Sequence, residues 1–290
     1  MSNGLAEQIV AAPKKTRARA SAQIWRSPLV WVGGIILLLV VFGAVAAPLL
    51  TTWEPTAIDF DAISAPPSAQ HIMGTDRNGM DIWSRILFGA RIDLVVALVA
   101  ISLAVLVGGA IGSAAGYIRG WGDELIMRIT DIFQAFPSFV LALAVAAVLG
   151  PGVRNLIIVV ALVNIPAYIR MMRAEVISVR ERSFVEAATC AGLGRFSILF
   201  REIVPNCLNP IFVIAPLNCG WAILTVAGLS FLGLGIPVPQ AEWGSMISTG
   251  TGDVVAGQWW TSVFPGLILF VTVMGFNFLG EGLRDSLSKK

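Results

Sequence analysis

Charged residues are scarce in this 290-residue sequence. They make up 13% of the chain, whereas about a quarter of the residues of a soluble domain are charged. The mean hydropathy is correspondingly high, at +0.80. A net charge of +2 is too small to indicate nucleic acid as a partner. The composition therefore predicts a chain that lies in membrane lipid rather than a soluble domain.

Lysine is nearly absent, and its positions exclude one kind of nucleotide site. Every lysine lies at a terminus: Lys14, Lys15, Lys289 and Lys290. A P-loop requires a lysine directly after a glycine, and none of these lysines follows one. The chain cannot hold ATP by that device, so any bound ATP and magnesium would belong to another subunit. We predict no cofactor in this chain.

Histidine and cysteine are too few for a metal centre or a nucleophilic active site. His71 is the only histidine and falls between apolar stretches, so we expect it to be a solvated loop residue. Cys190, Cys207 and Cys219 form no CxxC pair, which argues against zinc and against a disulfide framework. The apolar stretches contain neither histidine nor carboxylates. We predict no catalytic residue and no metal ligand.

Charge is absent altogether from six stretches: residues 27–53, 94–118, 132–153, 155–169, 203–241 and 254–280. A membrane-spanning helix needs about 20 mainly apolar residues. The fourth stretch is short, but Arg154 and Arg170 at its ends can extend towards water. The fifth is too long, and prolines should confine its helix to about residues 211–234, with Pro205 ending the helix before it. The pattern predicts an all-α polytopic membrane protein with six transmembrane helices.

The basic residues are distributed unevenly between the two sides of such a bundle. If both termini are cytoplasmic, all but four of the 20 basic residues lie inside. The four exceptions are Arg77, Arg85, Arg91 and Arg154. Basic residues concentrate on the cytoplasmic side of membrane proteins, so we predict that the N and C termini are cytoplasmic. Residues 54–91 then form an external loop, and the longest internal loop lies between spans four and five.

That internal loop contains the sequence FVEAATCAGLGRFSILFREIVP, residues 184–205. Its first part predicts a short helix in which Glu186 is polar and Ala187 and Ala188 are small. Glycine at positions 192 and 194 permits a sharp turn after it. Apolar residues then recur at helical spacing, namely Phe196, Leu199, Phe200 and Ile203. The pattern fits either a helix that projects towards a soluble partner or an ordinary loop that lies on the bilayer.

The order EAA, three residues, glycine, and later IVP resembles the EAA loop of ABC importer permeases. More narrowly, the chain resembles the second permease subunit of dipeptide, oligopeptide and nickel importers. Four further segments match that subfamily in order: GTDRNGMDIWSRILFGAR, MRITDIFQAFPS, LSFLGLGIPVPQAEWGSMI and FPGLILFVTVMGFNFLGEGLRDSL. The resemblance covers about residues 25–288. Met80, Asp93 and Val204 depart from the arginine, serine and leucine that are usual there.

The resemblance implies a type I ABC importer permease fold in the bacterial cytoplasmic (inner) membrane. It divides the chain into a tail at 1–26, a first transmembrane helix with an external loop at 27–90, and a core domain at 91–290. The EAA coupling loop falls at about 170–210. By resemblance, Glu186, Ala187, Ala188 and Gly192 are the residues that dock on an ATPase and make the turn. Two basic side chains, those of Arg182 and Arg195, could pair with acidic groups of the ATPase. They could instead orient the loop against lipid headgroups.

The resemblance also implies partners and a class of substrate. The partners are a homologous second permease that forms a heterodimer with this chain, two cytoplasmic ATPase subunits and an external substrate-binding protein. The substrates of relatives are dipeptides and longer peptides, glutathione-like peptides, opines or nickel chelates, and the sequence does not separate these. Membrane lipid surrounds the spans.

Polar residues within the spans are candidates for the translocation path, namely Asn164, Asn218 and Thr225. The same side chains could instead form hydrogen bonds between helices. The spacing of Gly108, Gly112 and Gly116 predicts a close helix contact, either inside the chain or with the second permease. An ion-coupled secondary carrier or a channel is the alternative function. Uncharged span centres argue against a carrier, and a channel leaves the EAA segment unexplained.

Overall fold

A computed structural model describes residues 27–288, with side chains to residue 286. The predicted tail at 1–26, with its basic residues, and Lys289 and Lys290 lie outside the described residues. Within the described range the chain is helical, with ten helices and no β-strand. These are α1 Pro28–Val45, α2 Ala47–Leu50, α3 Ile82–Ile118, α4 Trp121–Gln134, α5 Ser138–Leu149, α6 Val153–Arg180, α7 Ser183–Cys190, α8 Arg195–Phe231, α9 Trp243–Val255 and α10 Trp260–Ser288.

Five of these helices, α1, α3, α6, α8 and α10, are long and apolar enough to cross a membrane. The consecutive helices α4 and α5 are bent by 88° and make a sixth crossing if the pair is one broken span. The bend lies at Pro137, which precedes α5 and cannot continue the hydrogen-bond ladder of α4. The all-α polytopic prediction is confirmed, with five spans or six when the bent pair counts as one. The bounds of individual spans differ from the predicted ones.

The second span begins well before residue 94, so the external loop is shorter than predicted. Asp81 caps α3, because its Oδ1 accepts a hydrogen bond of 2.7 Å from the backbone N–H of Ser84. This satisfies one of the N–H groups that a helix start leaves without a partner. The first turns of α3 contain the charged residues Arg85, Arg91 and Asp93. The predicted span was defined by the absence of charge, so it began only after them. Residues 82–91 are therefore helical and not loop.

The fourth span is longer than predicted, because α6 continues to Arg180. Two of its arginines are paired with α4: Nη2 of Arg170 lies 2.7 Å from Asp131, and Nη2 of Arg173 donates to Asp123 at 2.7 Å. Matched charges let the helix continue beyond its apolar part. Of the predicted loop at about 170–210, only residues 181–182 and 191–194 are outside helices. The segment is thus mostly helical and not a loop.

The prediction that Pro205 ends a helix is wrong. α8 runs through Pro205 and also contains Pro210 and Pro216. A π-helical turn at Ile198–Ile203 precedes Pro205, so this proline enters at the start of a new α-helical register, where its missing N–H costs little. Prolines inside spanning helices are tolerated because neighbouring groups satisfy the carbonyls that they free. The predicted sixth span also starts too early, since residues 243–255 form the separate helix α9.

The glycine spacing in α3 serves a contact inside this chain. A Cβ added at Gly112 would lie 2.4 Å from the carbonyl oxygen of Ile169, and one at Gly116 would lie 2.8 Å from that of Arg173. Both carbonyls belong to α6. Small residues at this spacing let two helix backbones approach closely. The α3–α6 pair therefore forms the centre of the bundle, and the alternative of a contact with the second permease does not apply to these glycines.

The expectation that His71 is a solvated loop residue is wrong, since its side chain is 2% exposed. Nδ1 lies 2.9 Å from Asp81 and Nε2 lies 3.4 Å from Asp59. The ring also stacks near Trp53, with centroids 4.6 Å apart. A buried polar side chain needs such partners to offset its lost hydration. His71 thereby fastens the segment between α2 and α3 to the N-terminus of α3.

Candidate coupling site

α7 is a two-turn helix between the ends of α6 and α8. Arg182 precedes it in an extended conformation and accepts the N–H of Val185 at 3.0 Å through its carbonyl. Val185 is 5% exposed and belongs to the hydrophobic core, and Phe184 and Ala188 pack against that core. Burial of these side chains, each favourable by about 1–3 kcal/mol for a large apolar group, fixes α7 on the bundle. Val185 is an anchor that the sequence reasoning did not single out.

The opposite face of α7 is open. Glu186 and Ala187 are exposed, whereas Ala188 is half-buried against the core. The three predicted docking residues therefore do not share one face: Glu186 and Ala187 point outward and Ala188 supports them from behind. The outward face combines the small side chain of Ala187 with one carboxylate, that of Glu186. Such a surface suits close approach by another protein.

The turn after α7 is a Schellman motif centred on Gly192. The N–H of Gly192 donates to the carbonyl of Thr189 at 3.0 Å, and the N–H of Leu193 donates to that of Ala188 at 3.2 Å. This pattern requires a left-handed residue, and Gly192 has φ = +80°. Gly194 has an ordinary φ of −67°. Gly192 thus makes the turn, and the predicted contribution of Gly194 is not needed.

The charged side chains of the segment have no ionic partners among the residues that the structure describes. Glu186, Arg182 and Arg195 are exposed and form no salt bridge within 4.0 Å there. The arginines of α6 differ, since Arg170 and Arg173 are paired with α4. Ionic groups of opposite sign on a partner could therefore approach Glu186, Arg182 and Arg195 without first breaking an internal pair.

The first turns of α8 are anchored by a different stripe from the predicted one. Ile198, Leu199 and Ile203 are buried, but Phe196 is 80% exposed and Phe200 is 61% exposed. The α-helical spacing used for the prediction fails here because Ile198–Ile203 is a π-helical turn, which shifts the residues that share a face. Two phenylalanines are left on the surface beside α7.

A cavity of about 1020 Å³ opens beside α7, between it, the end of α3 and the start of α8. Its lining combines apolar side chains, such as Leu199, with the charged residues Arg182, Glu186 and Arg195. One wall is fixed by Arg180, whose guanidinium donates to the carbonyl of Tyr117 at 2.8 Å and lies 5.5 Å from that ring. The three sequence-predicted charged residues therefore border one open space.

The predicted path residues Asn164, Asn218 and Thr225 differ in their hydrogen-bond partners. Asn164 donates to the carbonyl of Val160 and Thr225 to that of Trp221, both at 2.8 Å and within their own helices. The amide of Asn218 instead donates to the hydroxyl of Tyr168 at 2.8 Å, which joins α8 to α6. Asn218 therefore makes the interhelical hydrogen bond that was one of the two readings for these residues.

Two polar clusters at the opposite end of the bundle were missed because their residues are distant in sequence. Arg85 is 2% exposed and donates to the carbonyls of Pro55 and Pro239, each at 3.0 Å, and to the sulfur of Met80 at 2.8 Å. Glu242, 0% exposed, caps α9. Burial raises the pKa of Glu242, and hydrogen bonds from backbone N–H groups oppose that rise.

Residues 108–290 match the model of a family described as the binding-protein-dependent transport system inner membrane component. Residues 18–67 match the N-terminal transmembrane domain of oligopeptide transport permease C. The chain is 40% identical over 280 residues to the probable D,D-dipeptide transport system permease protein DdpC of Escherichia coli K12, covering 96% of this chain and 94% of that protein.

Other relatives are similar over nearly as much of the chain. The dipeptide transport system permease protein DppC of Alkalihalophilus pseudofirmus is 43% identical over 271 residues, which is 93% of this chain and 89% of that protein. The glutathione transport system permease protein GsiD of Pectobacterium atrosepticum is 39% identical over 258 residues, 89% of this chain and 85% of that protein. The chain therefore belongs to the family of inner membrane components of binding-protein-dependent transport systems, that is, the permeases of ABC importers.

Proposed function

We propose that this chain forms one part of the translocation path of an ATP-driven importer of peptides or related small solutes, and that α7 couples it to an ATPase. The peptide class is supported by the dipeptide and glutathione permeases at about 40% identity over most of the chain. The coupling role is supported above all by α7 itself. Its inner face is anchored by Val185, while Glu186 faces outward without an ionic partner among the described residues.

The geometry of α7 suits the transmission of force. A Schellman turn at Gly192 joins α7 to α8, which is 37 residues long and continues into the bundle. Force applied to Glu186 and Ala187 therefore reaches a spanning helix with only residues 191–194 in between. Rigid elements joined by short hinges convey rigid-body motion. ATP binding would close the ATPase pair, move α7 and open the path outward, and hydrolysis would reset it.

The remaining components are proposed as separate chains. Two cytoplasmic ATPase subunits bind ATP and Mg²⁺, a homologous permease completes the path as a heterodimer, and a binding protein delivers substrate to the outer surface. That surface comprises the segment at 51–81 and the residues near α9. This permease itself has no catalytic role in the proposal and holds no cofactor.

The coupling role is tested with Glu186→Arg in the assembled transporter. The expected result is normal amounts of chain in the membrane, loss of uptake, and loss of the ATPase stimulation that substrate-loaded binding protein produces. Glu281→Arg is a matched control, since Glu281 is a half-exposed carboxylate whose partner in an ion pair is Arg284 on the same helix. Unchanged coupling in Glu186→Arg would contradict the proposal.

The substrate class and the energy source are tested separately. Thermal-shift screening of the cognate binding protein with dipeptides, glutathione and nickel chelates identifies the solute, and stabilisation by none of the peptides would contradict the peptide class. Uptake by the reconstituted transporter should require ATP. Peptide uptake by this chain alone along a proton gradient would instead support an ion-coupled carrier.

A further inference from the structure

Two buried carboxyl groups meet where α9 begins. Asp93 of α3 is 2% exposed and Glu242 is 0% exposed. Oδ2 of Asp93 accepts the backbone N–H of Trp243 at 3.2 Å, while Oε1 and Oε2 of Glu242 accept the N–H groups of Gly244 at 2.6 Å and Ser245 at 2.7 Å. Because these N–H groups belong to consecutive residues, the two carboxyl groups lie next to each other. Three successive N–H groups of α9 therefore point at one pair of acids.

No cation offsets this pair among the described residues. Neither Asp93 nor Glu242 forms a salt bridge within 4.0 Å in the part of the chain that the structure describes. The nearby arginines of α3 are used elsewhere, Arg85 on loop carbonyls and Arg91 on those of Ala44 and Val45. The facing parts of α1, α8 and α10, within residues 28–45, 203–241 and 254–280, contain no charged residue.

A hydrogen bond between two carboxyl groups requires a proton on one of them. Two buried carboxylates in contact and without a cation would repel each other, so ionisation of both is strongly unfavourable. The geometry also indicates which group is charged. Glu242 accepts two backbone N–H groups at a helix N-terminus, where negative charge is favoured, whereas Asp93 accepts one.

We propose that Asp93 and Glu242 hold a single proton between them, carried by Asp93, and that this acid pair fastens α9 to α3 on the outer side of the permease. The protonated Asp93 donates its O–H to the Glu242 carboxylate and accepts the Trp243 N–H through its other oxygen. The Trp243 side chain adds a second link, since its Nε1–H donates to the carbonyl of Ile86 at 3.0 Å.

The proposal gives the contact a defined pH dependence. At neutral and acidic pH the proton is present and α9 is fastened. As the pH rises, the proton is released to water and two negative charges remain in a buried site. Burial also raises the pKa of Glu242, so the stabilisation from this pair is fully present at acidic pH and is lost as the pH rises. α9 should then separate from α3 at its N-terminal end.

Infrared spectroscopy of the full chain in lipid nanodiscs tests the proton directly. Wild-type protein in D2O at neutral pH should show a carboxylic acid C=O band that is lost in Asp93→Asn. Asp123→Asn is the control, because Asp123 is ion-paired with Arg173 and should contribute no such band. An unchanged band in Asp93→Asn would overturn the proposal.

Hydrogen exchange of α9 amides tests the fastening. Asp93→Asn preserves both hydrogen bonds in a neutral group, so its α9 should stay protected at high pH, where the wild-type α9 exchanges faster. Asp93→Ser, which keeps a hydroxyl donor, should also remain folded. Glu242→Gln should lose protection at every pH, because its amide N–H groups would face the N–H of Ser245. Failure of both Asp93 variants to fold, or equal exchange in Asp93→Asn and wild type at high pH, would overturn the proposal.

Discussion

The end of this permease that carries α9 and the helix α7 at the other end place their polar residues in opposite environments. At the end that carries α9, which is the outer end in the proposed orientation, His71, Arg85 and Glu242 are almost fully buried, and each has partners within the chain. At the end that carries α7, Glu186 and Arg195 are exposed and have no ionic partner within the described residues. Buried polar groups are costly without partners, so the outer end must satisfy its own.

This difference indicates which end has most of its polar contacts within the single chain. The outer end is a cap in which distant segments are joined by buried hydrogen bonds, although Nε of Arg85, Oγ of Ser230 and Oδ2 of Asp253 are buried there without a hydrogen-bond partner among the described residues. The α7 end is anchored only from behind, by Val185 and Ala188, and leaves its polar surface available. We therefore expect substitutions at the outer end to reduce stability, and substitutions around α7 to reduce coupling with little loss of stability.

The largest expected effect is that of Arg85→Met. Its guanidinium donates to the carbonyls of Pro55 and Pro239, and both would be left buried without that donor. Hydrogen bonds to charged groups contribute about 1.5–3 kcal/mol each, so we expect a loss of at least about 3 kcal/mol. Thermal unfolding in detergent measures it. Arg128→Met, at a largely exposed side chain, should barely change the unfolding midpoint.

His71→Ala should have the next largest effect. It removes the partner of Asp81 and Asp59 and leaves two carboxylates in a partly buried site. The expected cost is about 1–3 kcal/mol, typical of leaving a buried polar group unpaired. Limited proteolysis should cut residues 51–81 faster, whereas His71→Gln, which keeps a donor, should be less sensitive. Equal cutting of wild type and His71→Ala would show that the cap does not depend on this residue.

Gly192→Ala and Gly194→Ala form a matched pair at the other end. An added Cβ meets no atom within 4 Å at either position, so only the backbone conformation differs. The left-handed φ of Gly192 makes alanine unfavourable there by about 1–2 kcal/mol, while alanine at 194 should be neutral. ATPase assays of the assembled transporter should show weakened coupling for Gly192→Ala alone. Equal coupling in the two variants would contradict a turn-dependent mechanism.

Arg77→Ala should have the smallest effect, although it also lies in the outer cap. Arg77 is about half exposed, pairs with the largely buried Asp253 at 3.3 Å and donates a hydrogen bond to the carbonyl of Thr249. Ion pairs with an exposed partner contribute about 0–1 kcal/mol and are weakened by salt. The unfolding midpoint should fall slightly at low ionic strength and less at high ionic strength. If Arg77→Ala lowered the unfolding midpoint as much as Arg85→Met, the exposure of a side chain would not predict its contribution to stability within the cap.

Much of the bundle was predictable because helices that lie in lipid consist mainly of uncharged, apolar residues. Long uncharged stretches marked every spanning helix, and the short helix with its glycine turn at 192 was correct in place and in type. The failures follow from the same rule. A search for uncharged stretches cut α3 at Asp93 and α6 at Arg170. Both helices continue, because Asp93 accepts the backbone N–H of Trp243 and Arg170 is paired with Asp131.

The outer cap was not predictable from a single sequence. Its contacts join residues far apart, such as Arg85 with Pro239 and Asp93 with Trp243, and local patterns do not report such pairs. The course of α8 through Pro205 depended on a π-helical turn, which α-helical spacing does not reveal. The sequence showed that Glu186 is a polar residue among small ones, but not which face of α7 it occupies. The anchoring of α7 by Val185 became visible only in the folded structure.

The native Cys190 allows the central claim to be measured most directly. It is exposed on α7, whereas Cys207 and Cys219 are buried. A membrane-impermeant maleimide should label Cys190 in inside-out vesicles but not in right-side-out vesicles, and assembly with the ATPase subunits should slow that labelling. Labelling in right-side-out vesicles, or an equal rate with and without the ATPase, would contradict the account that α7 is the cytoplasmic contact for the ATPase.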